Sequence, residues 1–133
     1  MVLVDTSVWI DFLRGAPTIQ VGTLQALLER DDLVGTAPII LQEVLQGADS
    51  PARFEQWRRE FSGLMCYLPL DPVDTHVEAA RLYASCRRAG STPRSSNDCL
   101  IARIAIEHDL ALLENDRDFK AIAAVEDRLR LFA

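Results

Sequence analysis

The strongest constraint on the fold is the opening run of the chain, where the aliphatic residues Val2 to Val4 lead directly into Asp5. A run this short and this uniformly apolar predicts a central strand that is covered on both faces. Open α/β sheets bind their ligands beyond the carboxyl ends of the strands, which is where Asp5 would lie. The carboxylate is therefore interpreted either as a helix cap or as part of a site.

Short apolar strands alternate with helical patterns along the rest of the chain, and Asp31-Asp32 is predicted to be a turn. Strands are predicted at residues 2–4, 33–35, 65–70, 110–113 and 128–132, and helices at 7–13, 18–30, 38–46, 51–62, 72–89, 95–108 and 117–124. This alternation is typical of a parallel sheet with helices on both faces. We therefore expect one α/β domain that spans residues 1–133.

The composition is that of a globular protein, with 49% hydrophobic and 26% charged residues. No apolar run approaches the roughly 18 residues that span a bilayer, and the N-terminus lacks a basic region and a cleavage site. The three cysteines, Cys66, Cys86 and Cys99, are odd in number and widely spaced. This spacing favours reduced thiols over a disulfide framework or a zinc site, so a cytoplasmic location is expected.

The net charge of −6 argues against a general nucleic-acid scaffold, because such proteins usually carry a basic excess. It is compatible with an enzyme acting on nucleic acid, since a cluster of carboxylates that holds divalent cations would inflate the negative count. The only histidines are His76 and His108, so nucleophilic catalysis by a Cys–His or Ser–His pair is poorly supported. A glycine-rich phosphate loop is absent from the sequence.

Four carboxylates occupy comparable positions near predicted strand ends and helix starts, namely Asp5, Glu43, Asp98 and Asp116. Each has a simpler explanation when taken alone. Glu43 could be solvated at the margin of its helix, Asp98 could be favoured by the helix dipole, and Asp116 could belong to a turn. Taken together, converging carboxylates would repel one another unless a cation lay between them, and oxygen-rich sites suit Mg²⁺ or Mn²⁺.

Four segments, in order, resemble those of PIN-domain ribonucleases. They are Val2-Leu3-Val4-Asp5-Thr6-Ser7-Val8-Trp9, the mid-chain Glu43, Arg94-Ser95-Ser96-Asn97-Asp98-Cys99-Leu100-Ile101-Ala102 and Asn115-Asp116-Arg117-Asp118-Phe119. The length and the opening and closing motifs most resemble the VapC-type toxins of bacterial and archaeal toxin–antitoxin pairs. The resemblance covers essentially the whole chain.

The resemblance implies a five-stranded parallel sheet of order 3-2-1-4-5 and a Mg²⁺-dependent endoribonuclease site. By position, it implies that Thr6 or Ser7 orients Asp5 or a water molecule of the site. The implied catalytic and metal-binding residues are Asp5, Glu43, Asp98 and Asp116.

One position departs from the family pattern, because Glu114 stands where members often have Thr or Ser. The fourth acid could therefore be Asp116, Asp118 or Glu114. We favour Asp116, since Asp118 falls within the start of the next predicted helix.

Substrate and partner contacts are expected as well. Arg94, Arg87 and Arg88 are candidates for gripping RNA phosphates, although the last two could equally balance the negative end of their helix. The resemblance further implies a homodimer and a small VapB-like antitoxin that blocks the acidic site. The candidate contacts for these partners are the aromatic residues Trp9, Phe12, Phe54, Trp57 and Phe61. For Trp9, a place in the core is favoured.

Two other functions compete with this interpretation. A haloacid-dehalogenase-like phosphatase would use Asp5 as a nucleophile, but such sites require a second acid two positions later, and this chain has Ser7 there. It would also require a basic residue late in the chain, where Lys120 is the sole lysine. The other alternative is a non-catalytic interaction domain whose acids merely cap helices.

Overall fold

The computed structural model describes residues 1–30 and 33–132, so the turn expected at Asp31 and Asp32 lies outside the described residues. Strands and helices alternate as predicted. In chain order they are β1 (Val2–Val4), α1 (Thr6–Arg14), α2 (Ile19–Leu28), β2 (Val34–Thr36), α3 (Pro38–Leu45), α4 (Pro51–Phe61), β3 (Met65–Cys66), α5 (Pro72–Arg88), α6 (Asn97–Glu107), β4 (Ala111–Leu113), α7 (Arg117–Val125) and β5 (Arg130–Leu131).

The five strands form one parallel sheet of order β3-β2-β1-β4-β5, which confirms the expected order. β1 lies in the centre, with Leu3 opposite Gly35 of β2 and Leu112 of β4. The chain winds outward from β1 to β3 and then returns to place β4 on the other side of β1. The crevice beyond the carboxyl ends of β1 and β4 is therefore the switch point of the sheet, where open α/β sheets bind ligands.

Both faces of the sheet centre are buried. Every residue of β1 and of β2 is buried, and successive side chains of a strand point to opposite faces. Helices therefore cover both sides, as the uniformly apolar opening run predicted. Among the described helices, none is both long enough and apolar enough to cross a bilayer.

Two of the helices that follow strands at the carboxyl edge of the sheet, α1 and α7, begin with an aspartate cap. Asp5 caps α1 by accepting a hydrogen bond from the backbone N–H of Ser7, and Asp116 caps α7 by accepting one from the N–H of Asp118. Both caps fix where their carboxylates point. At its other end, α1 stops at Gly15, whose left-handed φ of 73° suits glycine.

The third strand is shorter than predicted, with only Met65 and Cys66 in the sheet instead of residues 65–70. Beyond Tyr67, the chain bonds to side chains at the end of α6. The Nε2 atom of His108 lies 2.6 Å from the carbonyl of Leu68, and Glu107 accepts from the N–H of Leu70 at 3.3 Å. The apolar pattern of residues 65–70 predicted a longer strand, because it does not show that these backbone groups bond to distant side chains.

Small end effects account for the other differences. β5 holds only Arg130 and Leu131 instead of residues 128–132. α2 ends at Leu28 rather than Arg30, and α6 begins at Asn97 rather than Ser95. Such shifts at element ends follow from fraying and capping and leave the order of elements unchanged.

Candidate metal centre

An open cleft of about 330 Å³ lies beyond the carboxyl ends of β1 and β4. Its lining includes all four acids singled out in the sequence, together with one more that the favoured set left out. The five carboxylates are Asp5, Glu43, Asp98, Asp116 and Asp118. The four sequence candidates are thus brought together in space, although they come from four separate segments of the chain.

Asp5 is the deepest of these acids, with 3% of its surface exposed. Its Oδ2 atom accepts two hydrogen bonds from Ser7, one from the backbone N–H at 3.0 Å and one from the hydroxyl at 2.5 Å. Burial raises the pKa of Asp5 to about 6, and the bonds from Ser7 offset part of that effect. One side chain therefore both caps α1 and lines the cleft.

Thr6 and Ser7 hold the surrounding acids in place. The Thr6 hydroxyl donates a 2.7 Å hydrogen bond to Oε1 of Glu43, and the amide of Asn97 donates to Oε2 of the same carboxylate at 3.4 Å. The Ser7 hydroxyl also accepts a 3.1 Å bond from the N–H of Asn115, which ties α1 to the segment after β4. The role of Asn97 was missed, although its place beside Asp98 in the motif could have indicated it.

Asp98 is also buried, with 8% of its surface exposed. Within residues 1–30 and 33–132, no hydrogen-bond donor reaches its carboxylate. Burial, together with repulsion from the neighbouring carboxylates of Asp5, Asp116, Asp118 and Glu43, raises the pKa of Asp98 to about 7. A buried carboxylate without donors, among like charges, is the strongest mark of a cation site here.

Asp116 and Asp118 both face the cleft, whereas Glu114 does not line it. The Glu114 carboxylate accepts a 2.8 Å hydrogen bond from the backbone N–H of Asp116. The Ser or Thr that often stands at this position could accept the same bond through its hydroxyl. Glu114 therefore takes the role in the turn that the hydroxyl residue would have. Asp118 lies in the first turn of α7, and that turn aims it into the cleft.

Arg94 also lines the cleft, and it contacts two of the five acids. Its Nη2 atom donates to Asp116 at 2.8 Å, and its Nε atom donates to Asp118 at 3.1 Å. Arg87 and Arg88 do not line the cleft. Arg87 lies over the ring of Tyr83, and Arg88 donates to the Ser85 hydroxyl, so both cover the end of α5.

The donor set fits a hard divalent cation. One oxygen each from Asp98, Asp116 and Asp118 lies within 4.8 Å of the others. All the candidate ligands are carboxylate oxygens, which Mg²⁺ and Mn²⁺ prefer over softer metals. Asp5 and Glu43 add negative charge from the same cleft, so a bound cation would relieve the repulsion that raises the pKa of Asp98.

Comparisons with known proteins point to one family. The family model described as the PIN domain matches residues 2–125. The chain is similar to VapC ribonuclease Mb1587 of Mycobacterium bovis and to ribonuclease VapC11 of Mycobacterium tuberculosis. Each is 35% identical over 126 residues, which is 94% of this chain and 93% of that relative.

Solved structures share the fold. VapBC2 from Rickettsia felis, bound to a DNA fragment from its promoter, gives a TM-score of 0.74 at 19% identity, covering 99% of this chain and 98% of that one. VapBC-1 from nontypeable Haemophilus influenzae gives 0.70 at 22% identity, covering 99% and 97%. At these identities, the likeness extends to the fold alone.

Proposed function

The chain belongs to the PIN domain family, and from that premise we propose that it is a Mg²⁺-dependent endoribonuclease, the toxin of a toxin–antitoxin pair. The observation that carries the proposal is the convergence of five carboxylates on one cleft, where Asp98 is buried and no donor among the described residues reaches it. The names of its ribonuclease relatives support RNA as the substrate. In this proposal, Mn²⁺ can substitute for Mg²⁺.

The proposed catalytic and metal-binding residues are Asp5, Glu43, Asp98 and Asp116, with Asp118 as a further acid of the same cleft. A bound divalent cation supplies charge stabilisation and an activated water for phosphodiester hydrolysis. Asp5 would hold it from the floor of the cleft, with Ser7 fixing the direction of its carboxylate.

The hydroxyl of Thr6 has a supporting role in this proposal. It holds one oxygen of the Glu43 carboxylate, and among the described residues the second oxygen has only the longer 3.4 Å contact from Asn97. An outer hydrogen bond of this kind orients a ligand and tunes its basicity. Thr6 therefore acts as a positioning residue for Glu43.

Phosphate contacts are assigned to arginines. Arg94 lies in the cleft, and a guanidinium matches two phosphate oxygens at once. Arg87 and Arg88 lie several residues earlier, at the end of α5, where a longer RNA strand could reach them. Their exposed positions support this assignment, while their contacts with Tyr83 and Ser85 keep the alternative of a purely local role open to test.

A VapB-like antitoxin is the proposed partner. A groove of about 410 Å³ runs between α1, α3 and α4, and its apolar lining includes Ile10, Leu13, Val44 and Trp57. Trp9 and Phe61 are buried and pack edge to face at 4.7 Å, so these two candidate contacts belong to the core instead. The toxin–antitoxin complexes among the structural neighbours favour such a partner.

A homodimer in the cytoplasm completes the proposal. Exposed Leu68, Leu70 and Val73 follow one another after β3 and give this side of the molecule an apolar surface suited to a second copy. Size-exclusion chromatography with light scattering, on the purified protein alone, tests this point. A monomer at high concentration would contradict the dimer.

The central experiment is RNA cleavage by Asp5→Asn and Asp98→Asn in the presence of Mg²⁺. Both variants should fold and lose cleavage, because each removes a negative oxygen from the cleft. Asp127→Asn is the control, since Asp127 is exposed and outside the cleft. Undiminished cleavage by both cleft variants would contradict the site.

Two results would favour the competing functions. Release of phosphate from a small ester, without RNA cleavage, would favour the phosphatase with Asp5 as nucleophile. Absence of both activities, together with no Mn²⁺ or Mg²⁺ binding by calorimetry, would favour the non-catalytic interaction domain.

A further inference from the structure

We propose that Arg94 is an internal competitor for the divalent cation: its guanidinium occupies Asp116 and Asp118 and must leave them before the cation is fully bound. The inference rests on the proposed metal-dependent function and deepens it, because it names a control on loading of the same site. It also gives Arg94 a role that precedes any contact with RNA.

The Arg94 guanidinium is bound by two acids at once. Two different nitrogens of the guanidinium are used, Nη2 for Asp116 at 2.8 Å and Nε for Asp118 at 3.1 Å. The backbone N–H of Arg94 donates to the same Asp118 oxygen, also at 3.1 Å. These lengths are within the range of charge-assisted hydrogen bonds or just beyond it, so the positive charge lies directly against both carboxylates.

The same two acids belong to the cluster that fits a divalent cation. Asp98, Asp116 and Asp118 each bring one oxygen within 4.8 Å of the others. A guanidinium has only N–H donors and cannot ligate a metal, so it shares the acids with the cation only at the cost of repulsion between two positive charges. Binding of the cation to Asp116 and Asp118 and retention of Arg94 on them therefore oppose each other.

Departure of the guanidinium requires little rearrangement. The Arg94 side chain is 62% exposed, so it can move into solvent without opening the core. The Asp118 side chain is only 11% exposed, and its bond to the backbone N–H of Arg94 does not depend on the guanidinium. The acid thus keeps its place when the arginine side chain moves away.

Two consequences follow for loading of the site. In the metal-free protein, Arg94 offsets part of the repulsion among the five carboxylates, which stabilises the empty cleft. When a divalent cation takes over that role, the freed guanidinium remains at the mouth of the cleft, beside the position proposed for substrate phosphates. Cation binding and availability of Arg94 to RNA are therefore coupled.

The test is isothermal titration of Mn²⁺ into the full chain, comparing the wild type with Arg94→Gln. Removing the competitor should lower the Mn²⁺ dissociation constant by about fivefold, the scale on which exposed ion pairs act. Arg94→Lys, whose ammonium is a single point charge without the two-acid fork, should fall between the two.

Arg58→Gln is the matched control, because the Arg58 side chain is 64% exposed and pairs with Glu55 on α4, away from the cleft. It removes the same unit of charge and should leave Mn²⁺ affinity unchanged. Circular dichroism should show the same folded spectrum for all variants.

The outcomes separate this inference from the proposed function. If the wild type and Arg94→Gln bind Mn²⁺ equally, or the variant binds it more weakly, the competition is refuted while the metal site stands. If Arg58→Gln tightens binding as much as Arg94→Gln does, the effect is one of net charge and the inference also fails. If neither the wild type nor Arg94→Gln binds Mn²⁺, the metal-dependent function fails and takes the competition with it.

Discussion

The hydroxyl of Thr6 donates a 2.7 Å hydrogen bond to the Glu43 carboxylate, across thirty-seven positions of sequence. Thr6 is the first residue of α1, and Glu43 belongs to α3, so the bond joins two helices that start beside the central strand. Thr6 is also buried. A carboxylate held in this way keeps one orientation before any cation arrives.

Loss of this bond gives the first prediction. Thr6→Val keeps the shape of the side chain but leaves Glu43 without its shorter donor, so RNA cleavage should fall by about tenfold to a hundredfold. Thr6→Ser keeps the hydroxyl and should retain most of the activity. Cleavage rates of the two variants at saturating Mg²⁺ provide the measurement, and equal rates would show that the hydroxyl has no positioning role.

The second prediction concerns stability without metal. Burial raises the pKa of Asp98 from its ordinary 3.8 to about 7. The stability that the protonated carboxyl contributes is therefore present at low pH and is lost as the pH rises from the first of these values to the second. Asp98→Asn has no such loss. At about pH 8, its free energy of unfolding should exceed that of the wild type by about 1–2 kcal/mol, since solvent in the open cleft screens part of the full effect.

Urea unfolding in a chelator, at about pH 8 and again near pH 4, checks this difference. The two proteins should differ little at the lower pH, because it lies close to the ordinary pKa of 3.8 and most of the loss occurs above it. Added Mg²⁺ should stabilise the wild type much more than the variant, because only the wild type retains the full set of acids. A variant less stable than the wild type at the higher pH would contradict the prediction.

The third prediction concerns the pH dependence of Mn²⁺ binding. Burial raises the pKa of Asp5 to about 6 and that of Asp98 to about 7, and a cation binds the deprotonated forms. Affinity should therefore rise steeply between about pH 5.5 and 7.5 and level off above that range. Calorimetry in two buffers of different ionisation enthalpy should also detect protons released on binding. Flat affinity across the window would contradict it.

The fourth prediction tests the contact between Gly35 and Tyr67. A Cβ atom at Gly35 would lie 2.4 Å from the Tyr67 ring, so Gly35→Ala must displace the ring and should lower the free energy of unfolding by about 2 kcal/mol. Gly22→Ala is the control, because Gly22 is exposed in α2 with open space around it. That change should stabilise the protein by about 0.5–1 kcal/mol. Equal effects of the two would argue against the steric cause.

The order of elements and the convergence of four acids could be predicted from the sequence. Both can be read from the apolar runs and from where the acids lie relative to the predicted strands and helices. Val2 to Val4 could hardly be anything but a covered strand, and the acids Asp5 and Asp116 follow strands that share a direction. The order of strands came from the family resemblance, since periodicity alone does not say which strands are neighbours.

What the sequence could not supply were contacts between distant segments. Leu68 and Leu70 continue an apolar run, yet their backbone groups bond to His108 and Glu107 and leave the sheet. Arg94 looked like a residue for phosphates, but its guanidinium already contacts Asp116 and Asp118. Both cases depend on side chains that meet only once the chain has folded.

Both edges of the sheet are two residues long, at β3 and at β5, whereas each of the three inner strands has three. An exposed strand offers its unpaired N–H and C=O groups to any passing chain, and a long flat edge is a template for aggregation. Two residues give too short a ladder to hold a foreign strand. By binding the backbone of Leu68 and Leu70 to the end of α6, the fold also protects itself against edge-to-edge growth into fibrils.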